Sequence, residues 1–76
     1  FEGSRRQKRA HIVRMLLAAR DGQPAGITLD AAMAGVNEME EAAGRAPIGR
    51  DLIASILADL EREGFCRVEG NRWLSV

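Results

Sequence analysis

Apolar side chains recur at Leu52, Ile53, Ile56, Leu57 and Leu60, a spacing that lays one stripe along one face of a 3.6-residue helix. A helix is expected in the stretch that opens at Pro47, since proline is tolerated in a first turn whose amides have no intrahelical partner. Gly64 stands where that helix would close in left-handed backbone. Beyond it, Phe65–Glu69 and Arg72–Val76 are two β-prone runs separated by Gly70-Asn71. Two such runs joined by two turn-forming residues predict a tight hairpin with a primed turn.

The same spacing rule predicts a first helix over Arg5–Arg20, with Ile12, Val13, Leu16, Leu17 and Ala19 inward and His11, Arg14 and Ala18 outward. Asp21–Gly26 is a loop by composition. Ile27 is expected to add a strand of one or two residues to the hairpin. A second helix should follow Thr28, whose hydroxyl can cap the free amides of the first turn. Leu29, Ala32, Met33, Val36 and either Met39 or Glu40 mark its inner side to about Ala43, and Gly44 would end it. The connection from Gly44 to Gly49 then leads into the third helix.

The run Leu57-Ala58-Asp59-Leu60-Glu61-Arg62-Glu63-Gly64-Phe65 resembles the L-x-x-L-x-x-x-G-apolar close of the recognition helix in winged-helix regulators, and Arg67–Trp73 resembles their wing. With the upstream helices the resemblance covers nearly the whole chain. It is specific for the fold rather than for one family, because the pattern records packing and not chemistry. It implies an α+β, mostly α domain, a three-helix helix-turn-helix core followed by a C-terminal β-hairpin wing, with duplex DNA as the usual partner.

Seventy-six residues make one domain, near the size at which a single core is only just sufficient. A hydrophobic content of 46% removes disorder as the default, and no apolar run approaches the ~18 to 20 residues of a membrane span. The chain does not begin with methionine. Residues 1–4 are expected to be linker ahead of a domain over 5–76. The single cysteine, Cys66, cannot form an internal disulfide, which fits a reducing cytoplasm.

Formal net charge is zero, yet the charges are segregated. Up to Arg20 there are six basic side chains against Glu2 alone; from Asp21 to Glu63 nine acids face Arg45, Arg50 and Arg62. The hairpin carries Arg67 and Arg72 against Glu69. Such polarity gives a surface with two electrostatic ends, one able to meet phosphate.

Gly44–Asp51 has the glycine spacing of a phosphate-cradling nucleotide loop, but arginine replaces the lysine, aspartate replaces the hydroxyl, and a helix rather than a strand precedes it. One Cys and one His fall short of a zinc ligand set. His11 reads as a solvated side chain and Cys66 as a small buried hydrophobe. The methionines read as core filler. No acid–base or nucleophile–base pair can be assigned, so neither an enzyme nor a cofactor is expected, and no small-molecule site is evident.

Binding remains, in two forms. In the first, the third helix enters the major groove, the wing touches flanking backbone and the basic amino-terminal segment grips phosphates. Arg5, Arg6, Lys8 and Arg9 are the candidate contacts of the arm, Arg45, Arg50 and Ser55 those around the third helix, and Arg67, Asn71 and Arg72 those of the wing. In the second, the outward face of the third helix, Asp51, Ala54, Ser55, Ala58 and Arg62, docks a protein partner or a second copy. That face offers only Ser55 in its middle to read a base edge, and Asp51 and Asp59 would repel phosphate.

Overall fold

Ser4 opens the first helix. Its side-chain oxygen accepts from the Gln7 amide at 3.2 Å, satisfying one of the free donors of the first turn. The computed structural model describes residues 4–76, so the linker assigned to the first residues lies, except for this cap, outside the described residues. The elements run α1 (Arg5–Ala18), β1 (Ile27–Thr28), α2 (Leu29–Ala42), α3 (Arg50–Arg62), β2 (Cys66–Glu69) and β3 (Arg72–Ser75). Three helices thus precede a C-terminal antiparallel hairpin.

β3 is the central strand of a sheet ordered β1-β3-β2. Ile27 and Thr28 pair with Trp73 and Arg72, and Val68 lies opposite Trp73. Of the two turn residues only Gly70 has positive φ, 61°, as a primed turn with glycine first requires. Gly64, at φ 86°, closes α3 as its position in the sequence implies. Thr28 caps α2 by accepting from the Ala31 amide at 3.1 Å.

All three helices supply the core. Ile12 and Leu16 of α1, Ala32 and Val36 of α2, and Ile53, Ile56, Leu57 and Leu60 of α3 are buried together with Ile27 and Cys66. Two expectations are corrected here. Leu17 is more than half exposed, because the inward stripe of α1 runs Lys8-Ile12-Leu16, one side chain per turn, and turns Leu17 away. The third helix begins at Arg50, directly after the expected Gly44–Gly49 connection, so Pro47 lies before it rather than in its first turn. Asn37 ties that connection down: its Oδ1 accepts from the Ile48 amide at 2.6 Å and its Nδ2 donates to the Ile48 carbonyl at 3.4 Å. These bonds hold the connection against α2.

Gly26 joins the loop to the sheet at φ 83°, and a Cβ there would stand 2.4 Å from the Trp73 carbonyl oxygen. Neither backbone can yield without breaking the β1–β3 pairing. Gly26→Ala is therefore expected to lower stability by about 2 kcal/mol or more, read as a fall in the urea midpoint at unchanged slope. Gly35→Ala is the control. Its Cβ would press on the tip of the flexible Met15 side chain and touch His11 Nε2 at an ordinary 3.9 Å, with no backbone in the way, so the midpoint should move far less.

Candidate nucleic-acid interface

The first turn of α2, the first turn of α3 and the tip of the hairpin converge on one open cleft of about 290 Å³. Thr28, Asp30, Arg50, Asn71 and Trp73 line it. The Arg50 guanidinium is ion-paired with Asp30 across the rim, both side chains more than half exposed. A pair this solvated is worth roughly 0 to 1 kcal/mol, so Arg50 can exchange Asp30 for another anion at small cost. Asn71, beside the cleft, presents a neutral amide that can both donate and accept.

Along the outer face of α3 the sequence-derived groups come together differently from expectation. Arg5, at the start of α1, reaches across to α3, donating to Ser55 Oγ at 3.1 Å and pairing with Asp59. Asp59 also receives Arg62 from its own helix. Two guanidinium groups therefore surround one carboxylate beside Ser55, which removes the local repulsion expected of Asp59. Asp51 stays exposed at the N-terminal end of the face.

The remaining candidates have structural duties. Lys8 is corrected: its side chain is buried in the interior, 5% exposed, with Nζ 3.4 Å from Oε1 of Glu40, itself 1% exposed. Arg45 is paired with the same Glu40 and donates to Gln7 Oε1 at 3.3 Å, so it closes a buried ionic cluster between α1 and the α2–α3 connection. Arg72 is also corrected as a freely placed phosphate contact. Its guanidinium donates to the carbonyls of Ala25 at 2.8 Å, Gly26 at 2.7 Å and Pro24 at 3.4 Å, stitching the loop to β3. Arg9 pairs with Glu63 at 2.8 Å and lies over the Phe65 ring, and Arg67 pairs with Glu69 at 2.8 Å. Arg6 is exposed and, among the described residues, has no ion pair.

Asp30, Thr28 and Trp73 were not singled out as site residues from the sequence. Thr28 reads as a cap in the sequence, and nothing local links Asp30 to Arg50, twenty positions away. Burial pushes the Cys66 thiol above its usual range, and the Glu61 carboxylate adds to the effect; the thiol is accordingly core rather than nucleophile. Among the described residues no group of His, Cys, Asp or Glu could hold a metal ion, and no helix is long and apolar enough to cross a membrane. Comparison with protein-family models, curated proteins and solved structures finds no match to this chain.

Proposed function

We propose that this is a winged-helix domain that binds duplex DNA, with the outward face of α3 toward the groove and the cleft between α2, α3 and the hairpin tip on the phosphate backbone. The observation that carries the reading is the meeting of Arg50 and Asn71 in one open cleft at the end of an α3 face bearing Ser55, Arg5 and Arg62. A helix face of small side chains flanked by guanidinium groups suits backbone-led, shape-tolerant binding more than strong base discrimination. Docking of a protein on the same face is the weaker reading, because closing an apolar surface over Arg5 and Asp59 would desolvate an ion pair.

Fluorescence anisotropy with random-sequence duplex at two salt concentrations tests this directly. Each phosphate neutralised contributes a slope of about −0.9 in log K against log[salt]. Arg50→Ala should weaken binding to all duplexes alike and flatten the slope by about that amount. Asp30→Asn should act in the opposite direction, tightening binding, because it frees Arg50 and removes a carboxylate from the rim. Ser55→Glu should abolish measurable binding while leaving the circular dichroism spectrum intact. Absence of duplex binding by the parent at low salt, or wild-type binding by both Arg50→Ala and Ser55→Glu, would end the proposal.

A further inference from the structure

At the open end of the hairpin, away from its tip, Val13, Leu16 and Leu17 of α1 face Phe65 and Val76 across an apolar groove of about 290 Å³. Leu17, Phe65 and Val76 are 54%, 49% and 70% exposed, and they are three of the four large apolar side chains left exposed among the described residues. Their gathering in one place is unlike the scattered exposure expected of an ordinary surface.

The helix beside this groove carries a second regularity. Arg6, Ala10, Val13, Leu17 and Arg20 follow the alternating four-and-three spacing of a coiled-coil seam, running up α1 and two residues past its end at Ala18. Its middle is apolar and its two ends are cationic. Arg6 and Arg20 are exposed and have no ion pair among the described residues, unlike Arg5 and Arg9 on the neighbouring side of the helix, which are held by Asp59 and Glu63. Intramolecular pairing thus uses up Arg5 and Arg9, which face α3, and leaves Arg6 and Arg20 at the ends of the apolar seam, together with the exposed Arg14 of the same helix.

We infer that this groove and the α1 seam form a docking surface for an amphipathic helix of another polypeptide, apolar along one stripe and acidic on either side of it. The apolar middle takes the partner's leucine-type side chains, and Arg6 and Arg20 meet carboxylates about three to four turns apart on the partner. Charge complementarity selects an acidic helix over a basic one. A nucleic acid would satisfy the arginines but gain nothing from Leu17, Phe65 and Val76. The surface lies at the other end of the hairpin from the cleft holding Arg50 and Asn71, so its occupancy does not depend on the DNA reading.

The test uses the 76-residue chain and a set of fluorescein-labelled helical peptides with leucines at seam spacing, each made with flanking glutamates and again with flanking lysines. Anisotropy should report binding of the glutamate peptides at least tenfold tighter than their lysine counterparts, with affinity falling as salt rises. Leu17→Ser should weaken binding about tenfold or more, and Arg6→Ala with Arg20→Ala should weaken it several-fold and reduce the salt dependence. Circular dichroism confirms folding of each variant, and Val76→Ser provides an independent lesion outside the helix. Amide NMR shifts on peptide addition should centre on Val13, Leu17 and Phe65. The inference is overturned if no glutamate peptide binds better than its lysine partner, if Leu17→Ser and Val76→Ser both bind as the parent does, or if random duplex DNA competes through these same amides.

Discussion

Glu40→Ala should lower the melting temperature by on the order of 10 °C or more, because the substitution strands a buried ammonium. Glu40 accepts the Arg45 guanidinium on one oxygen and faces the Lys8 ammonium on the other, with almost no solvent access. Arg45 is a quarter exposed and can turn outward when the carboxylate is lost. Lys8 cannot do so without opening the contact between α1 and α2. Removing both buried charges is a different experiment: Lys8→Met with Glu40→Leu replaces the pair by apolar volume, which is often neutral or stabilising. The double variant should recover most of the loss. A single Glu40→Ala variant that melts within a degree or two of the parent would show that the cluster contributes nothing to the fold.

The same cluster fixes a pH dependence. The hydrogen bond from Arg45 holds the Glu40 carboxyl below the usual carboxylate range, opposed by burial and reinforced by the positive charges of Lys8 and Arg45. A carboxyl whose folded pKa is depressed stabilises the fold above its unfolded value, about 4.3, and loses that contribution as pH falls through the folded value. Thermal melts of the parent should therefore fall in the acid range below about pH 4. Glu40→Gln should start lower at neutral pH and lose less on acidification.

Local patterns made most of the fold legible. The α3 stripe, Gly64, Gly70-Asn71, the Thr28 cap and the short Ile27 strand are each specified by neighbours within a few positions, and each stands where the sequence implies. The misplaced elements were those decided by distant contacts. Pro47 lies outside α3 because a side chain of α2 grips Ile48, and helix propensity around the proline carries no trace of that bond. Leu17 and Lys8 exchanged their expected environments. A signal for this was present: Lys8-Ile12-Leu16 and Ala32-Val36-Glu40 are both inward stripes with one residue per turn, each ending in a charge of opposite sign. Hydrophobicity masks the spacing at Lys8, whereas Glu40 stands among the expected inner positions of α2.

The candidate interface was less legible for a related reason. Basic residues are easy to count, but what each one touches depends on contacts across the fold. Arg5 and Asp59 are separated by 54 positions, as are Arg9 and Glu63. Charge segregation along the sequence implies two electrostatic ends, whereas folding lays Arg5, Lys8 and Arg9 on Asp59, Glu40 and Glu63 and neutralises part of each segment. What stays accessible is local: Arg50, in its solvated pair with Asp30, beside Asn71 at one end of the hairpin, and Arg6, Arg14 and Arg20 along α1. Composition alone could not have separated these from the arginines that folding consumes.

Leu57→Ala is expected to cost about 2 to 5 kcal/mol. Leu57 has no solvent exposure and belongs to the cluster shared by all three helices and the sheet, with Ile53, Ile56 and Leu60 from its own helix and Ile12 and Leu16 from α1. Truncation removes the transfer energy of the lost carbons and leaves a cavity whose walls are held by neighbouring backbone, so collapse is limited. A domain of this length has a total stability on the order of 4 to 11 kcal/mol. The loss is therefore between a fifth and all of it, and at the upper end the variant is largely unfolded without denaturant. Urea melts followed by Trp73 emission provide the measurement, since Trp73 is partly buried opposite Val68 and becomes solvated on unfolding. A loss below about 1 kcal/mol would mean that Leu57 does not occupy the centre of the core and that α3 sits in a different rotation about its axis. Both the Ser55 face and the cleft at Arg50 would then have to be redrawn.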